Sequence, residues 1–400
     1  MQKMSNPASN GYTALRRLAD WSREKAEIAL HNTASLVSRN GLVVLDDYFP
    51  NLRTSFRISE FNYYLNAFAD SVVYSCDRSL REDLAVYKAD YPNLASRIHR
   101  FDTRKRVSGR LAYCVFLNNA YGFISLLDGL DLPLVFTLYP GGGFGIDSPE
   151  SDLKLRRVCS SPNLKKIIVT QQITHDYLKR QPWVDMDCVE FIYGGVFPSD
   201  VFNSLTITKR RYPDEKSVFD ICFVAYKYMA GGIDKGFDIF IETANLIARR
   251  LENARFHVVG GFEESDMDCP EIKDRITFWG IQFRDFFRDF YTHMDIILSP
   301  NVAFQMYPGS FDGFPTGACI EAGLSGVAVF CSDPLGSNVA LRNHEEIEII
   351  SRDPAEIADL VCSYHSDPER LKQISLTGQR AFATLFDIEN QMKRRCALFQ

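Results

Sequence analysis

The stretch GSFDGFPTGACIEAGLSG (309–326) places an acidic residue, a Gly-Phe-Pro turn, a run of small residues and a glutamate within eighteen positions. The helix that follows the turn begins with small residues, Thr316, Gly317 and Ala318, whereas a packed helix usually begins with bulkier ones. The first amide groups of a helix lack internal partners and lie at the positive end of the helix dipole. With so little bulk beside them, these amides are open to an anion such as a phosphate. Small residues are also typical of tight packing between a helix and a sheet, so both explanations stay open.

An acid flanks this helix start on each side. Asp312 precedes the turn, and Glu321 falls about one helical turn after the helix begins, where it can accept hydrogen bonds from sugar or ribose hydroxyls. We therefore expect this stretch to bind a phosphate group together with sugar or ribose hydroxyls. The residues that we expect to contact this ligand are Phe314, Pro315, Thr316, Gly317, Ala318 and Glu321.

The overall composition is that of an ordinary globular protein. The chain has 400 residues, enough for two or three domains, and is 46% hydrophobic and 24% charged. Its net charge of −6 argues against a dedicated nucleic-acid binder. The ten cysteines are scattered singly, which favours reduced thiols over a metal site. No apolar run approaches the ~20 residues needed to span a bilayer, so we expect a cytoplasmic protein, peripheral to a membrane at most.

Short apolar runs alternate with amphipathic stretches along the whole chain, which predicts parallel sheets built from β-α-β units. A polar stretch at 204–217 separates two such series. Two doubly wound α/β domains in tandem are the simplest account, with ligands at the carboxyl ends of the strands. The predicted strands are 41–49, 70–76, 112–119, 132–140, 165–171 and 189–195, then 219–227, 254–262, 275–281, 294–301, 326–333 and 346–351.

These series define the expected domains. We predict a helical extension over residues 1–40, a first α/β domain over 41–203 and a second over 204–380. A C-terminal helix over 381–400 can return to the first domain. A crevice between the two domains is the expected place for the site.

A second group of candidate residues follows the strands of the second domain. Lys227 and Lys235 lie between the first strand and the next helix, where lysines can neutralise a diphosphate, although a lysine in a loop is more often solvated. Gly261, Gly280 and Ile281 come just after strands, where a nucleotide base can lie flat. Ordinary turn glycines explain these positions equally well.

These residues, in this order, resemble the C-terminal domain of glycosyltransferase family 4, which comprises retaining sugar transferases of the GT-B fold. The family's pattern is an arginine after a strand, a Lys-Gly that opens a helix, and an acidic-Gly-Phe turn with a glutamate eight positions after the first acid. Lys227 stands where the arginine is expected, Lys235 fits the lysine and Glu321 fits the second acid. Asp312 replaces the first acid but precedes Glu321 by nine positions. The likeness covers residues 190–380.

The resemblance implies two Rossmann-like domains that face each other across a crevice. It implies a nucleotide diphosphate sugar as co-substrate and a cell-surface polysaccharide or lipid-linked glycan as acceptor. The catalytic residues would be Lys227 and Lys235, which stabilise the departing diphosphate together with the amides of 316–318, and Asp312, which orients the donor sugar. Glu321 would hold the ribose. No metal is needed if the lysines supply the positive charge.

The resemblance also implies that the first domain binds the acceptor. Asp47, Arg57 and Glu60 follow the first strand, as the family's acceptor loop would. Tyr139 stands where the family often has a histidine. The glycine run Gly141, Gly142 and Gly143 permits close backbone contact with a sugar.

Two other functions share this fold. A nucleotide-sugar epimerase of the GT-B fold usually needs carboxylates and histidines around the anomeric centre. A subunit that binds nucleotide sugars without turnover is the third alternative. The basic stretch at 97–110 and an amphipathic helix around 13–30 are either solvated faces or a peripheral contact with an anionic membrane.

Overall fold

The computed structural model describes residues 41–52, 55–102, 107–202, 209–266 and 270–400. The predicted helical extension over 1–40 lies outside these described residues, as does the middle of the basic stretch at 103–106. The described chain forms two parallel sheets flanked by helices, which confirms the predicted pair of doubly wound domains.

The first sheet contains seven parallel strands, and strands β1, β4 and β5 are buried over their whole length. The strands are β1 (Leu42–Asp46), β2 (Val72–Ser75), β3 (Ile98–Arg100), β4 (Leu111–Val115), β5 (Leu134–Leu138), β6 (Leu164–Val169) and β7 (Val189–Phe191). Their order is β3-β2-β1-β4-β5-β6-β7, so the winding reverses between β1 and β4. Such a reversal opens a crevice at the carboxyl ends of the strands.

The second sheet repeats this arrangement with six parallel strands. They are β8 (Phe219–Val224), β9 (Ala254–Val259), β10 (Ile276–Phe278), β11 (Ile296–Ser299), β12 (Ala328–Cys331) and β13 (Glu348–Ile349). Their order is β10-β9-β8-β11-β12-β13, with the reversal between β8 and β11.

Helices cover both faces of each sheet and supply the loops that face the crevice. In the first domain they are α1 (Ser55–Ala67), α2 (Leu80–Asp90), α3 (Pro92–Ala95), α4 (Leu117–Leu130), α5 (Pro149–Cys159), α6 (Gln172–Lys179) and α7 (Ser199–Phe202). The later helices are α8 (Phe237–Ala248), α9 (Arg284–His293), α10 (Gly317–Leu324), α11 (Pro354–Ser366), α12 (Pro368–Leu385) and α13 (Ile388–Ala397). Within the described residues, no helix is both long and apolar enough to cross a bilayer.

Strand β3 is the strand that we did not predict. It lies at an edge of the first sheet, with Ile98 buried but His99 and Arg100 exposed. An edge strand needs no continuous apolar run. The sequence of β3 therefore lacks the pattern by which the other strands were predicted and resembles a basic surface segment.

Two of the basic residues around β3 have structural partners. Arg97 donates hydrogen bonds to the backbone carbonyls of Leu65 and Phe68 at 2.5 and 2.7 Å. Arg110 donates to the carbonyl of Phe399 at 2.8 Å. At these two positions the positive charge caps backbone groups, although Arg110 is also exposed to solvent.

The last helix, α13, packs on the first domain. Tyr63 of α1 donates a hydrogen bond to Glu389 at 2.7 Å, and Gln391 donates to the carbonyl of Tyr193 at 3.0 Å. Arg395 is fully buried. The end of the chain therefore ties into the domain that begins it.

A buried ion pair anchors this helix. Arg395 Nε lies 3.7 Å from Glu60 Oε1, and neither side chain is exposed to solvent. Tyr64 and Tyr139 donate hydrogen bonds to the Glu60 carboxylate at 3.0 and 3.2 Å, and Tyr113 donates a third. The carboxylate is thus compensated by one cation and three hydroxyl groups.

Removing the cation should destabilise the protein strongly. We expect Arg395→Met to cost about 3–5 kcal/mol of unfolding free energy, because Glu60 would keep a buried charge without its partner. Urea unfolding measures this loss. The neighbouring Arg394 pairs with Glu190 at the surface, so Arg394→Met is the matched control and should cost ~1 kcal/mol or less. Equal losses in the two variants would contradict this account.

Candidate active site

Residues that directly follow strands of both sheets line a cleft of about 440 Å³ between the domains. From the first domain come residues after β4, β5 and β6, and from the second come residues after β8, β9 and β11. The predicted site residues that line this cleft are Tyr139, Lys235, Ile281, Asp312, Pro315, Thr316, Gly317, Ala318 and Glu321.

The turn before α10 is held from the first domain. The backbone N–H of Phe314 donates to Gln171 Oε1 at 3.0 Å, and the carbonyl of Phe314 accepts from the Tyr193 hydroxyl at 3.0 Å. The Phe314 side chain is buried in the core of the second domain, and its direct contact with a donor remains a prediction. Phe314 places the turn that carries Asp312.

The start of α10 has the open backbone that the sequence predicts. Thr316 occupies the N-cap position without a side-chain capping bond in the described structure, and Gly317, Ala318 and Thr316 all line the cleft. Packing also restricts this position, because a Cβ atom on Gly317 would lie 3.2 Å from the ring of Phe197. Both explanations for the small residues therefore have structural support.

Lys235 and Asp312 form an ion pair in the cleft. The Lys235 ammonium lies 2.6 and 2.8 Å from the two carboxylate oxygens of Asp312 and 3.6 Å from Asp234. It also lies 5.0 Å from the centre of the Tyr228 ring. The Lys235 residue is 7% exposed and Asp312 is open to solvent, so an entering anion can replace the carboxylate as the partner of the buried cation.

Lys227 does not join this group. Its ammonium pairs with Asp266 at 2.5 Å, and Lys227 is absent from the lining of the cleft. The predicted roles of Lys227 in catalysis and donor binding are therefore corrected. Its neighbours Tyr226 and Tyr228 line the cleft in its place, with ring centres 5.0 Å apart.

Glu321 is buried at the boundary between the domains. It is 8% exposed, and its Oε1 atom accepts a hydrogen bond from Ser55 Oγ at 2.5 Å. Burial raises the pKa of Glu321 to about 7, although the bond from Ser55 lowers it. A carboxyl group with such a pKa can accept or donate hydrogen bonds to hydroxyl groups near neutral pH.

The glycine that matters after β9 is Gly260. Its φ is 135°, and a Cβ atom there would lie 1.9 Å from the carbonyl oxygen of Ala225. Gly260, Ile281 and Gln282 line the cleft, whereas the predicted Gly261 and Gly280 do not. The predicted Ile281 thus lines the cleft, and Gly260 lies there in place of its neighbour Gly261.

An aromatic wall lines the first-domain side of the cleft. Phe56, Phe116 and Tyr139 lie with ring centres 5.3 to 5.9 Å apart. Phe116 has a φ of 70°, an uncommon backbone conformation for a side chain of this size. The sequence analysis missed Phe56, Phe116, Ser55 and Gln171, although each lies at or just beyond the carboxyl end of a predicted strand or at the start of a helix.

The three polar residues predicted after β1 do not line the cleft. Arg57 is buried and pairs with Asp46 at 3.2 Å and with Asp47 at 3.0 Å. Glu60 is enclosed by tyrosines and Arg395, so an acceptor has no access to it. The predicted acceptor contacts at Asp47, Arg57 and Glu60 are therefore corrected to structural roles.

The glycine run after β5 also has a structural role. Gly141, Gly142 and Gly143 all have positive φ, and they are absent from the cleft lining. A Cβ atom would lie 2.3 Å from the Phe116 ring at Gly142 and 2.0 Å from the Asn118 side chain at Gly143. Gly142 and Gly143 therefore allow the loop to pack behind the aromatic wall, whereas a Cβ atom on Gly141 would meet no atom within 4 Å. None of the three glycines lines the cleft, where their contact with the acceptor was predicted.

Comparisons with known proteins agree with this architecture. Residues 221–367 match the family model of the glycosyl transferases group 1. The fold is similar to that of HepE from Anabaena in complex with UDP and glucose, with 14% identity, 90% of this chain and 99% of that chain covered, and a TM-score of 0.66. The fold is also similar to that of a glycosyltransferase from Rickettsia africae, with 12% identity, 91% of this chain and 98% of that chain covered, and a TM-score of 0.64.

A third solved structure, sucrose-phosphate synthase from Thermosynechococcus elongatus, has 15% identity, coverage of 90% and 98%, and a TM-score of 0.58. A search of curated protein sequences finds no match. At these identities the similarity to solved structures shows the fold alone, which is GT-B.

The raised pKa of Glu321 makes stability depend on pH. Because its pKa is about 7 in the folded protein, against an ordinary 4.5, the folded state binds the proton more tightly than the unfolded state. Ionisation therefore lowers stability as pH rises from 4.5 to about 7. We expect the Tm of the wild type, measured relative to that of Glu321→Gln, to fall over this range.

Asp46 also titrates in this range, because burial raises its pKa to about 6. Since Asp46 is present in both proteins, the difference in Tm between wild type and Glu321→Gln reports the titration of Glu321. A constant difference in Tm between the two proteins across this pH range would show that Glu321 titrates as an ordinary exposed carboxylate.

Proposed function

We propose that this chain, whose residues 221–367 match the family model of the group 1 glycosyl transferases, transfers a sugar from a nucleotide diphosphate sugar to a carbohydrate acceptor. The observation that carries the proposal is the buried Lys235, paired with an exposed Asp312 beside the open start of α10. A diphosphate fits this arrangement of a cation and free amides. The presence of UDP and glucose in the HepE complex, which shares this fold, supports the donor class.

The barrier to transfer is departure of the nucleoside diphosphate. Lys235 and the first amides of α10 stabilise the negative charge that develops on the leaving phosphate. Asp312, freed from Lys235, orients hydroxyl groups of the donor sugar. Glu321 exchanges its hydrogen bond with Ser55 for one with the ribose.

We further propose that the anomeric configuration is retained. Among the described residues, the first-domain side of the cleft presents no carboxylate or histidine that could deprotonate the acceptor. The acceptor oxygen would attack from the face that the diphosphate leaves. The bond from the sugar to the phosphate oxygen breaks, the bond to the acceptor oxygen forms, and the hydroxyl proton passes to the leaving phosphate. This route requires positive charge from Lys235 and the amides but no metal ion.

The lining of the cleft favours an uncharged sugar as the acceptor. In the described part of the first domain, Phe56, Phe116 and Tyr139 offer aromatic faces, and Thr170 and Gln171 offer polar groups, but no charged side chain lines the cleft. Aromatic walls with a few polar groups are typical of sites for small organic ligands. The acceptor would therefore be a neutral sugar at the end of a polysaccharide or of a lipid-linked glycan.

The proposed place of action is the cytoplasmic face of a membrane. Support comes from the exposed Arg100 and from the basic residues at 104–106, which lie outside the described residues. Basic groups of this kind bind anionic headgroups. The contact would be peripheral.

The reaction class can be tested with a panel of nucleotide sugars, each incubated with and without neutral oligosaccharides. A transferase releases nucleoside diphosphate only when an acceptor is present. An epimerase forms product without an acceptor, and a binding subunit shows affinity without turnover. The family match favours the first outcome. The coupling constant of the anomeric proton in the product reports retention.

In the same assay, Lys235→Ala should lower kcat/KM by about 10²-fold or more, because it removes charge from the leaving group. Lys227→Ala is the control, since its ion pair with Asp266 lies outside the cleft lining. We expect the control to change kcat/KM by less than about fivefold, in line with the small contribution of a surface pair. Equal losses of kcat/KM in Lys235→Ala and Lys227→Ala would contradict the assignment of Lys235 alone to the leaving group.

Gly317→Val separates anion binding from packing. A valine side chain obstructs the first amides of α10, so UDP affinity measured by calorimetry should fall about tenfold or more. Because the new side chain also presses on Phe197, Tm should fall as well. In the double variant Gly317→Val/Phe197→Ala, the pressure is relieved while the amides stay obstructed. If UDP affinity recovers together with Tm in the double variant, packing explains the glycine and the phosphate does not.

A further inference from the structure

A second cavity, of about 520 Å³, lies along helix α1 and begins at Ser55, which also lines the cleft. Its other walls come from the junction of α2 and α3, from the start of α9 and from the segments at 198 and 388. We call this cavity the α1 groove. Its principal lining residues are Ser55, Ser59, Asn62, Tyr63, Asn66, Tyr91, Phe283 and Arg284.

The floor of the α1 groove is a stripe of uncharged hydrogen-bonding side chains. Ser55, Ser59, Asn62, Tyr63 and Asn66 recur at the three- and four-residue spacing of one helix face. An exposed helix face usually carries lysine and glutamate. In α1 both charged residues, at positions 57 and 60, are buried on other faces. The stripe is therefore polar without being ionic.

Several of these side chains are already fixed in place. Ser59 donates to the carbonyl of Ser55 at 3.0 Å, and Asn62 accepts a hydrogen bond from the hydroxyl of Tyr87. The amide nitrogen of Asn62 is the donor end of the same side chain. Tyr63 donates to Glu389 at 2.7 Å. A ligand would meet oriented groups, which lowers the entropy cost of binding.

The opposite wall adds aromatic faces and a small group of charges. Tyr91 and Phe283 line the groove, and Phe283 is 49% exposed. Arg284 donates to the Tyr91 hydroxyl and lies 3.7 Å from Asp90 and 3.5 Å from Asp285, which also lines the groove. One cation beside two carboxylates disfavours an anionic ligand and is compatible with a neutral one.

We propose that the α1 groove binds a neutral carbohydrate chain, namely the sugars of the acceptor that precede the reacting unit in the cleft. The link to the cleft rests on the proposed function, but the groove's affinity for a glycan does not. Ser55 to Asn66 spans ~16 Å along the helix axis, longer than a single sugar needs. Sugars present hydroxyl groups that both donate and accept, together with apolar C–H faces, and this matches amides, hydroxyls and aromatic rings.

A lipid chain suits the groove less well. An acyl or prenyl chain would contact the apolar lining residues Leu52, Ile58, Pro198 and Ile388, but it would also cover the Asn62 and Asn66 amide groups without hydrogen-bonding to them. Each amide covered in this way carries a desolvation cost. The groove also has walls from both domains, since Phe283 and Arg284 belong to the second domain. A glycan that contacts both walls would therefore stabilise the closed arrangement of the two domains.

The proposal can be tested on an array of immobilised neutral di- to hexasaccharides and of uronic acid-containing glycans of the same lengths, without any nucleotide sugar. Ser59→Arg fills the groove with a charged side chain. Ser363→Arg is the matched control, because Ser363 is also a helical serine whose hydroxyl bonds to a carbonyl one turn back. Tm and UDP affinity are measured for each protein.

We expect wild type and Ser363→Arg to bind neutral oligosaccharides, and Ser59→Arg to bind them about tenfold less tightly or worse, since at least two hydrogen bonds are lost. UDP affinity should be unchanged in both variants. Should Ser59→Arg lower Tm, Asn66→Ala at the exposed end of the stripe repeats the test with a smaller change.

Three results would overturn the proposal. One is the absence of binding to every neutral glycan, and another is equal glycan affinity in Ser59→Arg and wild type. The third is binding of dodecyl maltoside without binding of maltose, which would make the groove a lipid site. If the wild type does not bind UDP, the proposed function is contradicted. The glycan-binding result from the array is then judged by itself.

Discussion

The backbone of Phe314 is held at both of its polar atoms by side chains of the other domain. Gln171 accepts its N–H and Tyr193 donates to its carbonyl, so the turn before α10 cannot shift without breaking a contact between domains. Asp312 lies two residues before this turn, and α10 begins three residues after Phe314. The positions of Asp312, the open amides and Glu321 all follow from this one attachment. The cleft is therefore a property of the assembled pair of domains.

The two sides of the cleft differ in electrostatics as well as in shape. The second domain contributes Lys235, Asp312 and Glu321, whereas the described residues of the first domain contribute aromatic and neutral polar groups. Charge is thus concentrated on the second-domain side of the cleft. Low polarity on the other side strengthens each interaction with that charge. Such a division suits the proposed pairing of an anionic donor with an uncharged acceptor.

The sequence predicts much of this architecture, because strands buried on both faces appear as continuous apolar runs. It also predicts cleft residues that lie at or just before the start of a helix, such as Gly317 and Lys235. It fails where a side chain's direction depends on tertiary partners. Lys227 looks like a cleft lysine, but Asp266, distant in sequence, draws it away. Glu60 looks like a surface acid on a helix, but the returning C-terminal helix buries it under Arg395.

The hydroxyl of Tyr139 connects the aromatic wall to the end of the chain. Tyr139 donates to Glu60, and Glu60 faces Arg395 of α13. In evolutionary terms these three positions form one unit, because a new residue at any of them leaves a buried charge or hydroxyl without its complement. The last turns of α13 are therefore coupled through Glu60 to the first-domain wall of the cleft.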